Sequence, residues 1–175
     1  MERRRRDQGF TLIELLIVVA IISIIAAIAV PGLLRAKMTA NEATAVASLN
    51  SVTRAQVSYA TACGYGGYAS GYLILGAPII AGSEPFISPD LGLSATPYKA
   101  GYTYGLGAGI SGAGPNDCLS RATNSGFYAT AVPVTYGTTG GRSFATNASN
   151  AIWQSTIATA PTEPFTPSAT TQPIQ

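Results

Sequence analysis

The hydrophobic residues of this chain are concentrated near its N-terminal end. Residues 10–30 form an apolar run with a single charged residue, Glu14. As a helix, that run would be about 31 Å long, which is enough to cross the hydrocarbon core of a membrane. Residues 33–62 lack proline, and their apolar side chains recur at close to the helical period. Because Gly64 is a favourable stop, the pattern predicts one helix over residues 10–62, with an amphipathic second half that packs on a globular body.

After residue 63 the pattern changes to short apolar segments that are separated by glycine and proline. Such segments predict strands. The candidates are residues 71–76, 98–106 and 126–136, together with a hairpin over residues 142–157 that turns near residues 148–150. We therefore expect an α+β fold, in which a small antiparallel sheet of about three to five strands packs on the second half of the helix. The Pro/Thr-rich residues 161–175 predict a disordered or loosely attached tail.

The charges of the chain indicate a membrane orientation and give no sign of several other functions. The formal net charge is +2, and residues 1–9, with arginine at positions 3 to 6, carry that excess. A basic segment before an apolar helix stays in the cytoplasm, which sends the body outward. No basic patch remains for nucleic acid. The chain has no histidine and no paired acidic residues in its body, so we expect neither an enzyme nor a cofactor or metal site. A minor alternative is that the loop residues Asp90 and Asp117 help to bind calcium.

Two ordinary membrane signals explain part of the N-terminal segment. A secretory signal peptide has a shorter apolar core, of about 7–15 residues, that ends at a cleavage site of small residues. A plain signal-anchor helix explains the arginines and the length of the apolar run. It does not explain Glu14, because an unpaired carboxylate in hydrocarbon is unfavourable.

The sequence GFTLIELLIVVAIISIIAAIAVPG, residues 9–32, resembles the class III signal of type IV pilins and type II secretion pseudopilins. The resemblance implies that a prepilin peptidase cuts after Gly9 and N-methylates Phe10, the new first residue. Glu14 then takes the position of that family's glutamate, and Pro31 that of its helix-interrupting proline. The implied partners are other copies of the chain, the peptidase, the inner-membrane assembly machinery and, before assembly, membrane lipid.

Elementary electrostatics gives Glu14 a role in this setting. Cleavage before Phe10 creates an α-amine that is positively charged near neutral pH. When helices assemble, the Glu14 carboxylate of one copy pairs with that amine of another, and registers that leave it unpaired are disfavoured. The simpler alternative is that Glu14 reaches toward the lipid headgroups. For Pro31 and Gly32, the alternatives are a kink at the membrane surface and a stretch that melts when subunits pack.

Cys63 and Cys118 are the two cysteines of the chain. Their separation fits no compact zinc spacing, so the alternatives are a disulfide and two separate buried thiols. An exported body favours the disulfide, which would stabilise the fold by roughly 4 kcal/mol through closure of a long loop. By resemblance to pilins, the bond would attach the loop around Cys118 to the end of the helix.

These expectations describe a structural subunit whose parts follow one another along the chain. They are a leader over residues 1–9, a membrane and polymerisation helix over residues 10–31, an amphipathic helix over residues 32–62, a sheet domain over residues 63–160 and the tail. The precursor would be a single-pass inner-membrane protein with a cytoplasmic N-terminus. The processed subunits would form a surface pilus for adhesion, motility, DNA uptake or secretion. The alternatives are a periplasmic pseudopilus of type II secretion and a minor pilin that binds a ligand.

Overall fold

The computed structural model describes residues 10–80 and 82–174. Its longest element is a single helix, α1 (Leu12–Ala62), of 51 residues. Pro31 lies inside α1, and the helix continues on both sides of it. At the other end, the Gly64 N–H donates to the Tyr59 carbonyl (2.8 Å). The helix predicted over residues 10–62 is confirmed, apart from its first two residues.

The chain divides into two compact units between Ala36 and Lys37. In the first unit, all of the described residues, 10–36, are exposed. By length and composition α1 is apolar enough to cross a membrane, and none of its most apolar stretch is buried. The single chain therefore leaves uncovered an apolar surface of the kind that marks contact with a membrane or with another protein.

The second unit contains the rest of α1 and, within residues 37–80 and 82–174, two short helices and eight strands. The helices are α2 (Tyr72–Leu75) and α3 (Pro89–Gly92). The strands are β1 (Tyr98–Lys99), β2 (Tyr102–Gly107), β3 (Ala113–Asn116), β4 (Ala122–Asn124), β5 (Tyr128–Pro133), β6 (Ser143–Asn147), β7 (Ile152–Ser155) and β8 (Thr171–Pro173). Six strands form one antiparallel sheet in the order β1-β2-β5-β6-β7-β8, and β3 pairs with β4.

The core of the second unit lies between one face of this sheet and the buried face of α1. Side chains alternate across a strand, so Tyr104 shares a face with its register partner Ala131, and that face continues to Phe144. All three residues are fully buried. On α1 the buried apolar residues recur at helical spacing, at Ala45, Leu49, Val52, Ala55 and Tyr59. The predicted α+β fold is confirmed.

Two details of the predicted sheet are wrong. Residues 71–76, predicted as a strand, contain α2, because Tyr72 and Leu75 both enter the core and a three-residue spacing puts them on one face of a helix. The main sheet has six strands rather than three to five, since its last strand comes from the tail. The predicted hairpin is confirmed as β6 and β7, with Asn150 in the left-handed region (φ 63°) at the turn.

The prediction of a disordered or loosely attached tail is also wrong. The segment between β7 and β8, residues 156–170, is called the strap, and it contacts the sheet face opposite α1. The ring of Phe165 stacks on Trp153 with 5.5 Å between ring centroids, and the Tyr128 hydroxyl donates to the Pro161 carbonyl (2.6 Å). Aromatic contacts of this kind stabilise an ordered path even for a Pro/Thr-rich segment.

Candidate assembly site

The N-terminal end of α1 is closed by two side chains that bond to each other. Thr11 precedes the helix, and its backbone N–H and its hydroxyl both donate to Oε2 of Glu14 (2.9 and 2.6 Å). In return, the Glu14 N–H donates to Oγ1 of Thr11 (3.3 Å). This is a capping box, in which a Thr and a Glu three residues apart satisfy donors that have no partner within the helix.

The capping box uses only one carboxylate oxygen of Glu14. Among the described residues, Oε1 of Glu14 accepts no hydrogen bond, and the residue is exposed. Phe10, which comes just before the cap, is 82% exposed. The helix itself therefore holds the carboxylate in one orientation and leaves one oxygen that no described residue of the chain donates to.

The helix surface that follows Glu14 is apolar. Residues 15–34 contain no charged side chain, and the hydroxyl of Ser23 is satisfied by the Val19 carbonyl (2.7 Å). The large exposed apolar residues of this stretch are Leu15, Leu16, Ile17, Val18, Val19, Ile21, Ile22, Ile24, Ile25, Ile28, Val30, Leu33 and Leu34. A carboxylate at the end of so large an apolar surface favours a partner that brings both an apolar face and a positive charge.

The structure does not test the roles predicted for the processing and assembly residues. Gly9 lies outside the described residues, and Phe10 is the first residue inside them. Pro31 has no N–H to donate within the helix, yet α1 passes through it. Next to it, Gly32 has open space where a Cβ would lie. Cleavage, methylation, register selection and the kink or melting at Pro31 stay predictions.

A second glutamate, Glu42, attaches α1 to the body. It is buried, and its oxygens accept from the Gly141 N–H (2.8 Å to Oε1) and from Nε and Nη2 of Arg142 (2.9 and 2.6 Å to Oε2). Beside it, Nδ2 of Asn41 donates to the Thr139 carbonyl (2.8 Å). The helix is thus fixed to the loop between β5 and β6, 98 to 100 residues further along the chain.

Contacts at Arg142 and Gln56 complete the attachment. The remaining guanidinium nitrogen of Arg142, Nη1, donates to Oε1 of Gln154 (2.7 Å), and its central carbon lies 5.7 Å from the centroid of the Phe144 ring. Further along α1, the fully buried Gln56 forms two hydrogen bonds with the backbone of Ala69, at 2.9 and 2.8 Å. The polar groups that α1 buries here therefore have partners in the body.

Cys63 and Cys118 form a disulfide, as predicted, with their Cα atoms 4.9 Å apart. The neighbouring Asp117 is buried, and its carboxylate accepts from the Tyr59 hydroxyl (2.6 Å) and from Nε of Arg121 (2.7 Å). Burial alone would raise the pKa of Asp117, but the hydrogen bonds it accepts lower that pKa to about 2. Burial and the bond to Asp117 raise the pKa of Tyr59 to about 12.

Both loop aspartates have partners within the body. Asp117 is engaged as described, and Asp90 accepts from the Ser88 hydroxyl and pairs with Nζ of Lys99 (2.6 Å). Within the part of the chain that the structure describes, no group of three or more His, Cys, Asp or Glu side chains is placed to hold a metal ion. Both carboxylates instead stabilise loops of the body.

Of the predicted site residues that lie within the described chain, the structure brings together only Cys63 and Cys118. Sequence reasoning missed Thr11 and Glu42, and it considered Asp117 only as a minor calcium candidate. Thr11 was detectable, since the T-x-x-E spacing is the signature of a capping box. Glu42 was not, because its ion-pair partner lies 100 residues away and only the sheet topology joins them. Nothing local to Asp117 indicated that its carboxylate is buried.

Comparison with known proteins identifies similarity in part of the chain. Residues 4–30 match the family described as the prokaryotic N-terminal methylation motif. A stretch of 55 residues is 51% identical to the type IV wide pilus major component PilA4 of Thermus thermophilus, over 31% of this chain and 42% of that protein. A stretch of 54 residues is 46% identical to the type IV major pilin protein PilA of Myxococcus xanthus, over 31% of this chain and 24% of that protein. The matches thus span less than half of either relative, and no solved structure matches significantly.

Proposed function

We propose, starting from a chain that carries the prokaryotic N-terminal methylation motif, that the protein is the precursor of a type IV pilin-like structural subunit. The processed subunit polymerises through the N-terminal part of α1 into a cell-surface filament. The observation that carries this proposal is an uncovered apolar helix whose first turn holds a capped glutamate, with one carboxylate oxygen that no described residue uses. Two relatives named as pilins support it.

Processing prepares the N-terminus for assembly. Prepilin peptidase cuts after Gly9 on the cytoplasmic side, removes the basic leader and leaves Phe10 as the first residue. The new α-amine is cationic near neutral pH, and N-methylation keeps an amine's charge. The cap joins Glu14 to the N–H and hydroxyl of Thr11 and does not use the Phe10 amine, which can therefore pair with a neighbouring copy.

Glu14 then selects the register of assembly. Its Oε1 accepts a hydrogen bond from the Phe10 amine of a neighbouring copy, while its Oε2 keeps the two hydrogen bonds from Thr11. Because the cap already restrains the carboxylate, pairing loses little side-chain entropy. A copy that docks out of register buries the free oxygen without a donor, which is unfavourable. Van der Waals packing between the apolar side chains holds the helices together, and the ion pair sets the register.

The second half of α1 carries the body. The contacts of Glu42 and Gln56 and the disulfide at Cys63 attach this part of the helix to the sheet and its loops. Tension on the helix is therefore shared among several hydrogen bonds and one covalent bond. A structural subunit needs this property, because it must bear load without unfolding.

The proposed function implies a location for the precursor and partners that act on it. The precursor waits in the inner membrane with its N-terminus in the cytoplasm and its body outside, in contact with lipid. The peptidase and the inner-membrane assembly machinery act on it there, and the assembled copies reach the cell surface. We favour a pilus over a type II pseudopilus because the relatives are named as major pilus components.

Electron microscopy of filaments sheared from the cell surface, with mass spectrometry of their subunits, tests this function. We expect this chain to be the main subunit and to begin at N-methyl-Phe10. A Gly9→Val variant is the matched control, since it should block cleavage and leave the chain in the membrane. Filaments that lack this chain, or assembled copies that retain residues 1–9, would overturn the proposal.

A further inference from the structure

The loop between β3 and β4 is built around one buried carboxylate. The side chain of Asp117 is 0% exposed. Its Oδ1 accepts from the N–H groups of Leu119 and Arg121 (2.9 and 2.7 Å), and its Oδ2 accepts from the Tyr59 hydroxyl and from Nε of Arg121 (2.6 and 2.7 Å). The loop also closes on itself, because the Asp117 N–H donates to the Arg121 carbonyl (2.9 Å). Both carboxylate oxygens are thus used within the chain.

The same loop is docked to the end of α1 by contacts that involve no sulfur atom. Tyr59 belongs to the last turn of α1, so its bond to Asp117 joins helix and loop. The Cys118 N–H donates to the Cys63 carbonyl (2.8 Å). In the disulfide-bonded chain the two cysteine Cα atoms lie 4.9 Å apart, within the range that a disulfide requires. None of these contacts requires the disulfide, so the chain can form them while both thiols are reduced.

We propose that Asp117 positions Cys118 beside Cys63 before the disulfide exists, so that the bond forms on a loop that is already folded. The two thiols then have a high effective concentration, because folding has already closed the loop between them. Cys118 is exposed, whereas Cys63 is 1% exposed. Cys118 is therefore the cysteine that meets the oxidant, and Cys63 is the one that resolves the intermediate.

The chemistry is thiol–disulfide exchange with a disulfide-bearing oxidant. The Cys118 thiolate attacks one sulfur of the oxidant and forms a mixed disulfide, and the other oxidant sulfur leaves as a thiolate. The Cys63 thiolate then attacks Sγ of Cys118 and displaces the second oxidant sulfur. The oxidant gains two electrons, and the protons of the two cysteine thiols end on its two thiolates. Arg121 neutralises the Asp117 charge nearby, so the carboxylate does not disfavour the Cys118 thiolate.

A redox titration of the full chain in detergent tests the role of Asp117. The chain is equilibrated with reduced and oxidised glutathione, and the Cys63–Cys118 bond is measured by alkylation and mass spectrometry. Asp117→Asn should lower the equilibrium constant for the disulfide about tenfold, because the charge-assisted hydrogen bonds are lost. The matched control is Glu84→Gln, an exposed carboxylate without a hydrogen bond or ion pair among the described residues. Equal constants for the two variants would overturn the proposal.

Amide hydrogen exchange on the reduced chain separates positioning from general stability. In the wild type with both thiols reduced, the amides of Cys118, Leu119 and Arg121 should stay protected. Asp117→Asn should lose that protection while the amides of β5 and β6 keep theirs. Should Asp117→Asn not fold, Tyr59→Phe removes one helix–loop bond and keeps the charge, and it should lower the disulfide constant by a smaller factor. A reduced wild-type loop that exchanges as freely as unstructured chain would contradict the proposal.

The order of the two cysteines is tested with single variants and oxidised glutathione. Cys63→Ser leaves the exposed thiol, which should form a mixed disulfide readily. Cys118→Ser leaves the buried thiol, which should react at least about tenfold more slowly because access limits exchange. Equal rates would show that Cys118 is not the cysteine that meets the oxidant.

Discussion

The two glutamates of α1 behave differently because the two parts of the chain around them offer different partners. Glu14 is exposed and bonds only to Thr11, three residues away, with one oxygen unused by the described residues. Glu42 is buried and uses both oxygens on Gly141 and Arg142, about a hundred residues away. A carboxylate whose two oxygens both accept hydrogen bonds within the chain stabilises the fold. A carboxylate with one oxygen unused by the described residues can bond to another chain.

The largest expected effect comes from removing the charge of Glu14 without removing its cap. Glu14→Gln keeps a side chain that can complete a capping box, but it cannot form an ion pair with an amine. We expect the variant to insert in the membrane normally and to give at least about tenfold fewer filaments, since a charged hydrogen bond typically contributes more than a factor of ten. The ratio of sheared filament to membrane-inserted subunit measures this effect.

Glu84→Gln is the control for that experiment, because it removes an exposed carboxylate from the body. Its filament yield should equal that of the wild type. A normal yield from Glu14→Gln would show that charge at this position does not select the register.

At Glu42 we expect a change in the stability of the fold, because its carboxylate bonds within the chain. Glu42→Ala leaves Arg142 without its ion-pair partner and the Gly141 N–H without an acceptor, so the free energy of unfolding should fall by about 2–3 kcal/mol. Denaturant unfolding of the full chain in detergent measures this, with Glu84→Ala as the control. A change below about 0.5 kcal/mol would show that Glu42 does not anchor the helix.

Thr11 offers a way to separate the cap of Glu14 from its charge. Thr11→Val removes the hydroxyl but keeps the carboxylate, and loss of a helix cap typically costs about 1 kcal/mol. Filament yield should fall by a few fold, less than in Glu14→Gln, because the carboxylate is then less well oriented. A yield as low as that of Glu14→Gln would mean that orientation matters as much as charge.

The effect that is smallest near neutral pH is a pH dependence of the body, which comes from Asp117 and Tyr59. The pKa of Asp117 is about 2 in the fold, below the ordinary value of about 3.9, so its contribution is present above about pH 4 and is lost as the pH falls toward 2. The pKa of Tyr59 is raised to about 12, so its contribution is lost as the pH rises from about 10 to 12. A pKa difference of about two at each end corresponds to a loss of roughly 2–3 kcal/mol.

Variants assign the two ends of that profile. Asp117→Asn should remove the acid loss, and Tyr59→Phe should remove the alkaline loss. Urea unfolding at a series of pH values measures both. A wild-type profile that is flat below pH 4 would show that the Asp117 bonds do not contribute to stability.

Local patterns were sufficient to predict the helix, its two different halves and the β6–β7 hairpin. The apolar run before Pro31, the helical spacing after it and the stop at Gly64 lie close together in sequence. The disulfide was expected from the export of the body rather than from any local pattern. The capping box is also a local pattern, since Thr11 and Glu14 lie three residues apart.

The strap and the Glu42 contacts depend on distant residues and were not predictable in the same way. Phe165 is ordered because Trp153 and Tyr128 present their rings on the sheet face that faces the strap. The composition of the tail alone favours disorder. The register of β5, β6 and β7 forms the aromatic surface on which the tail becomes ordered. The prediction of a strand at α2 is wrong for the same reason. A four-residue apolar segment is compatible with a helix or a strand, and its tertiary contacts determine which one forms.

The most direct test is a high-resolution cryo-electron microscopy structure of the assembled filament, in which the distance from Oε1 of Glu14 to the nitrogen of Phe10 in a neighbouring copy is measured. We expect about 2.7–3.2 Å, the distance of a charge-assisted hydrogen bond, with the bonds from Thr11 to Oε2 retained. Separation of the two groups by more than about 6 Å, with Oε1 facing lipid or solvent, would contradict the account.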